Sequence, residues 1–187
     1  MALILTVGMA DVKICRAEGG ILTALGLGSC IGVCIYDPVI CLAGMAHVVL
    51  PQSGSPTDSP GKFADTAIPY LFAQMEYAGA RIGRLRAALV GGAQLFKNVT
   101  QGSRLDIGPR NASAVRDILE SFKVCIVAAD VGGSVGRTAL LHNDGRVMVR
   151  TLGQSERLLV NLMEGTDNKS LKSVKRNTEK SGLIRNR

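Results

Sequence analysis

The chain contains no apolar run long enough to cross a bilayer: stretches such as Leu42 to Leu50 fall well short of the ~20 residues a spanning helix needs. Met1 to Ala10 lacks the basic segment that opens a signal peptide, so a cytoplasmic protein without membrane insertion is expected. The five cysteines form an odd set, with Cys30, Cys34 and Cys41 close together and Cys15 and Cys125 apart. That is a poor disulfide framework, and reduced thiols are the simpler reading. Zinc coordination by Cys30, Cys34, Cys41 and His47 is disfavoured, because the spacings give no paired CxxC and alternate strand residues diverge from a common centre. Neither a metal nor a cofactor is expected. Aromatic residues make up only 4% of the chain, and its net charge of +7 is unevenly spread. Residues 164–187 hold seven basic side chains against three acids, a net +4, which leaves +3 for the rest. A nucleic-acid surface would be spread along the fold or gathered beside exposed aromatics, so none is expected. The reading is one domain over 1–163 followed by a basic tail over 164–187. That tail is too polar to offset chain entropy by burial and is expected to be disordered, with an acidic partner as its alternative use.

What is present suits a single core: 187 residues, 47% of them hydrophobic. Short, β-rich apolar runs occur at Leu3 to Val7, Cys30 to Tyr36, Leu42 to Leu50, Leu85 to Val90, Val124 to Ala129, Thr138 to Leu141 and Val147 to Leu152. Ser59-Pro60 announces a helix carrying Phe63, Ala67, Leu71, Met75 and Ala78 on one face, with Pro69 as a flaw. A second helix is expected from Asn111, as its cap, to Phe122. Asp144-Gly145 reads as a hairpin turn. Strands and helices do not alternate strictly, which excludes a doubly wound parallel sheet and predicts an α+β layered domain of mixed sheets packed with helices.

Leu25-Gly26-Leu27-Gly28-Ser29-Cys30 sets two glycines before a cysteine at the mouth of an apolar strand. A chain without Cβ atoms turns sharply there and leaves amides unpaired, which could face an oxyanion at Gly28 and Ser29. A thiol with a pKa of roughly 8.5 needs a base to act as a nucleophile near neutrality. The chain offers two histidines, His47 and His142, and the latter stands beside an Asn-Asp-Gly turn where a solvated ring is the default. If Asp37-Pro38-Val39-Ile40 closes a symmetric hairpin, paired numbers sum to 77 and Cys30 faces His47. The structural alternative is a buried thiol and a satisfied core histidine. Gly91-Gly92 lines a cleft or packs a turn, Phe96 anchors a partner or packs the core, and Arg110 is a candidate substrate contact.

Gly26 to Cys30, followed by Met45-Ala46-His47-Val48-Val49-Leu50-Pro51, resembles the signature of the CheD family. Pro60 to Ala67, Gly91 to Phe96, Ile107 to Asn111 and Asp130 to Gly133 resemble it in type and order, across roughly residues 1–160. The resemblance implies a fold similar to bacterial deamidating toxins, and a deamidase that converts selected glutamines of methyl-accepting chemotaxis receptors to glutamates. It implies Cys30 as nucleophile, His47 as general base, and a CheC-type phosphatase as a partner. The family's third active-site residue is usually a threonine six positions before the cysteine, where this chain has Ala24. Thr23 is the adjacent substitute, although one step along a strand points its hydroxyl the other way unless a bulge intervenes. A lowered rate is therefore expected, or a docking module in which catalysis has weakened.

Overall fold

The computed structural model describes residues 3–55, 58–94, 106–151 and 153–164, so Phe96 and nearly all of the tail lie outside the described residues. Two five-stranded sheets are stacked. The first runs in the order β1 (Ile4–Thr6), β3 (Ile21–Leu27), β8 (Arg137–His142), β9 (Arg146–Thr151) and β10 (Arg157–Asn161). The second runs β2 (Val12–Cys15), β5 (Leu42–Val48), β4 (Ile31–Asp37), β6 (Arg86–Gly91) and β7 (Cys125–Val131). Helices α1 (Ala64–Tyr77) and α2 (Ile107–Ser121) pack on the far side of the second sheet. The layers are thus helix, sheet, sheet, an α+β arrangement.

Alternation along β4 and β5 builds both cores. Ile31, Val33, Ile35, Leu42, Ala46 and Val48 point at the helices and meet Ile68, Leu71, Phe72, Val115 and Leu119. Cys34, Tyr36, Ala43 and Met45 point at the first sheet and meet Leu22, Ala24, Leu27, Ala139, Leu141 and Val147. Every residue of β4 and β5 is buried, which is why these strands read as continuous apolar runs. Each fully buried Leu, Ile or Phe contributes about 1.5–3 kcal/mol of transfer free energy. No helix among the described residues is long and apolar enough to cross a membrane.

Both helix starts differ from expectation. Pro60 opens a 3-10 turn (Pro60–Lys62), and α1 begins only after Phe63, which is drawn into extended conformation (φ −112°, ψ 145°) by bridging Leu50. Helix α2 starts four residues early, at Ile107, because Pro109 falls in its first turn, where the missing N–H is not needed. Asn111 is therefore not a cap. The Asp144-Gly145 turn is as expected, with Gly145 at φ +90° and β8 pairing antiparallel to β9.

Candidate active site

His47 lies on β5 and Cys30 immediately before β4, and the register of the β4–β5 hairpin differs from the symmetric two-residue turn. Gly32, not Cys30, faces His47, and Asp37 faces Leu42. Tight two-residue hairpin turns need positive φ at their first central position, which proline cannot adopt, so Pro38 forbids one there. A four-residue loop closes instead, with Cys41 left-handed at φ +50°. The buried Asp37 carboxylate anchors it, accepting from Val39 N (3.0 Å), Arg81 N (3.2 Å), and Arg84 Nε (3.0 Å) and Nη2 (2.7 Å). Burial alone would raise the Asp37 pKa, but these donors together hold it below the usual carboxylate value.

The two-residue slip preserves the face, and this keeps the pair together. Opposed residues share a face, so His47 lies diagonal to Cys30 on one side of Gly32 and to Cys34 on the other. Such diagonal neighbours stand roughly 7–8 Å apart, within reach of long side chains. His47 is only 2% exposed. Its Nδ1 lies 3.2 Å from the Val7 carbonyl oxygen, which can only accept, so Nδ1 bears the proton and Nε2 is the basic nitrogen. Nε2 is buried without a hydrogen-bond partner, and the thiol of Cys30 is not bonded to it in this state. Burial lowers the His47 pKa, partly countered by the Val7 hydrogen bond and by Asp11, so the ring is neutral near pH 7. Burial also raises the Cys30 pKa, while the residue's own amide works against that. The resting pair is thus a neutral thiol and a neutral imidazole, not in hydrogen-bond contact.

The turn leading into Cys30 is pinned by its carbonyls. Gly28 O accepts from Ala93 N (2.7 Å) and Cys30 O from Gly92 N (2.8 Å). Ser29 O accepts from Asn111 Nδ2 (2.9 Å). Among the described residues, the N–H groups of Gly28, Ser29 and Cys30 are given to no other residue. Among the described residues those of Gly28 and Ser29 are open to an external oxygen, and that of Cys30 lies toward its own sulfur, beside which such an oxygen would form. Gly91, at φ +116°, is glycine for a packing reason, since a Cβ there would lie 2.2 Å from Cys30 O.

Thr23 does not join the site. It pairs with Leu140 in unbroken register while Ala24 pairs with Ala139, and the irregularity in β3 comes only after Ala24. Ala24 therefore faces the inter-sheet core that also receives Val7, and Thr23 faces away. The Val7 carbonyl holds the imidazole instead. Arg110 is exposed and lines a shallow cleft of about 320 Å³ with Pro51, Gln52, Asp65 and Asp117. A larger cleft of about 540 Å³ touches the turn only at Gly26, and neither Cys30 nor His47 lines it. His142 lies in the β8–β9 hairpin, apart from the dyad. Val7 and Asn111 carry no local sequence signal of their roles. Only the pairing of distant segments reveals them.

Residues 49–151 match the family described as CheD, chemotactic sensory transduction. The chain is 44% identical over 153 residues to a probable chemoreceptor glutamine deamidase CheD of Caldanaerobacter subterraneus subsp. tengcongensis, covering 80% of this chain and 94% of that protein. It is 40% identical over 153 residues to the chemoreceptor glutamine deamidase CheD of Thermotoga maritima, covering 81% and 94%. Among solved structures, a hypothetical protein YfiH of Bacillus licheniformis is similar at TM-score 0.40 and 15% identity over 66% of this chain and 50% of that one, too distant to bear on the fold. With a matching family description over more than half its length and such relatives along four-fifths of it, this chain belongs to the CheD family.

Proposed function

We propose that this protein is a chemoreceptor glutamine deamidase, working in the cytoplasm through Cys30 and His47 with residues 1–163 as the catalytic unit. One observation carries the reading. A half-buried thiol at the head of β4 shares a sheet face with a buried imidazole whose basic nitrogen is free, beside a turn with unpaired amides. Five unpaired cysteines suit a reducing compartment.

His47 Nε2 takes the thiol proton, and the thiolate adds to the side-chain amide carbon of glutamine. The amides of the Gly28 to Cys30 turn receive the negative oxygen that forms. As that intermediate collapses, the C–N bond breaks and the imidazolium protonates the leaving nitrogen, releasing ammonia and leaving a thioester on Cys30. Water then adds to the thioester carbon, giving its proton to Nε2, and the C–S bond breaks to yield glutamate and restore the thiol. A swing of the Cys30 side chain toward Nε2 on substrate binding completes the dyad, as catalytic hydrogen bonds often tighten only in the complex. Arg110 is assigned a substrate contact at the rim, and Phe96 a partner contact.

Ala24 and the separated thiol and imidazole favour one second reading, a weakened module that docks a CheC-type phosphatase or receptors. Mass spectrometry of a receptor cytoplasmic fragment separates the two. Incubation with the wild type converts particular glutamines to glutamates, and Cys30→Ala does not. Intact glutamines under both proteins would leave only the module.

A further inference from the structure

Helix α2 sends one fully buried polar side chain toward the hairpin that holds the dyad. Asn111 is 0% exposed, and its Nδ2 donates to two carbonyls: Ser29 O at 2.9 Å and Val49 O at 2.8 Å. The first immediately precedes Cys30, and the second lies two residues beyond His47. One amide thus ties the segment bearing the nucleophile to the segment bearing the base. The Asn111 Oδ1 is buried and unpartnered, so the side chain acts here purely as a two-bond donor.

The bond to Ser29 has a consequence one residue on. A trans peptide is planar, with its C=O and N–H pointing in opposite directions. Pulling the Ser29 carbonyl toward α2 therefore turns the Cys30 N–H away from the helices, to the face where the thiol and His47 lie. Neighbouring carbonyls in this turn are held by main-chain amides of the 91–93 segment, which no side-chain change removes. Asn111 is the pin made by a side chain. Its backbone comes close because Gly108 packs against the carbonyls of Gly92 and Ala93, where a Cβ would lie 2.5 and 2.8 Å away.

We infer that Asn111 is a positioning residue: by holding the Ser29 carbonyl it aims the Cys30 amide at the oxyanion, and by holding Val49 it fixes that donor relative to His47. This deepens the deamidase reading and rests on it. An asparagine that merely packs the core would lower stability when replaced, without selectively weakening the binding of a tetrahedral oxygen.

The experiment compares two thiol reagents on full-length wild type, Asn111→Ala and Asn111→Asp. A short glutamine peptide with its side-chain amide replaced by an aldehyde adds the Cys30 sulfur to the carbonyl carbon, placing the new oxygen where oxyanion donors act. Iodoacetamide alkylates the same sulfur by displacing iodide and makes no such oxygen. Changes in thiol exposure therefore affect both reagents, while loss of an aimed donor affects the aldehyde selectively. Aldehyde binding is expected to weaken by ~10-fold or more in Asn111→Ala, with the Cys30 alkylation rate changed by less than ~3-fold. The kcat for glutamine deamidation should fall by a similar factor, with KM nearly unchanged, as for an interaction made in the transition state. Should Asn111→Ala fail to fold, Asn111→Asp keeps the shape, loses at least one donated bond and gives the same reading. Equal losses for both reagents, or none for either, would overturn the assignment. The aldehyde-to-alkylation ratio reports on Asn111 even if the wild type deamidates no receptor fragment, so failure of that reading remains distinguishable.

Discussion

Cys30, one residue before β4, and Cys34, within it, both pack toward the first sheet and lie diagonal to His47, yet their surroundings differ. Cys34 sits mid-strand, completely buried between the sheets, and burial pushes its pKa up to about 12. Cys30 precedes the strand by one residue, is half-buried, and has its own amide favouring the thiolate. The histidine is shared by geometry. What differs is access to solvent and the amides of the turn, so the proposed nucleophile is set apart by its position at the end of the strand rather than by its distance from the base.

That contrast can be broken most directly by removing each sulfur. Cys30→Ala should lower the rate of ammonia release from a receptor fragment by ~1,000-fold or more, because no other group replaces the nucleophile. Cys34→Ala removes a small core group and should leave the rate within ~3-fold, at a stability cost of about 1 kcal/mol seen as a lower Tm. Next in size, His47→Gln takes away the base common to both thiols. It should slow deamidation by ~100- to 10,000-fold while the circular dichroism spectrum stays that of the folded protein.

A pH profile sharpens the comparison from the side of the base. His47 is held below its ordinary 6.5, first by burial, so kcat/KM should rise through a pKa below that value and then stay level past neutrality. The same depression has a sign for stability. The unfolded chain takes up the proton first, so stability present above 6.5 is lost as pH falls through the folded pKa. Chemical denaturation at stepped pH should show that loss, reduced in His47→Gln. The smallest effect is expected from Ala24→Thr. Because the Val7 carbonyl already engages Nδ1–H at 3.2 Å, a restored hydroxyl competes for an occupied donor, and kcat should rise by less than ~3-fold.

The sequence disclosed the strands with strong apolar runs, the layered α+β class, and the shared face of Cys30 and His47. It hid whatever depended on distant segments meeting. Strands β2 and β10 are short, and β3 contains the glycine irregularity, so none shows a clean run. The hairpin was legible in kind but not in length, since the proline that marks the turn also excludes its tightest form. Cys30 and His47 stayed on one face because a slip of two residues, unlike a slip of one, preserves alternation. Thr23 looked like a neighbour of the missing threonine, yet strand alternation sets it on the opposite face of β3 from Ala24, where it is buried. Asn111 read as a cap because asparagine suits that position ahead of an apolar helical pattern, and its burial appears only once α2 is laid against the turn before Cys30.

On the proposed mechanism the acyl group passes through Cys30 while its buried counterpart Cys34 stays inert. Acid quenching of the wild-type protein shortly after mixing with a receptor cytoplasmic fragment, followed by proteolysis and mass spectrometry, locates any thioester. The account predicts a receptor-derived acyl adduct on the peptide containing Cys30, with the sulfur of Cys34 unmodified. An adduct on Cys34, or conversion of glutamine to glutamate that persists in Cys30→Ala, would contradict it.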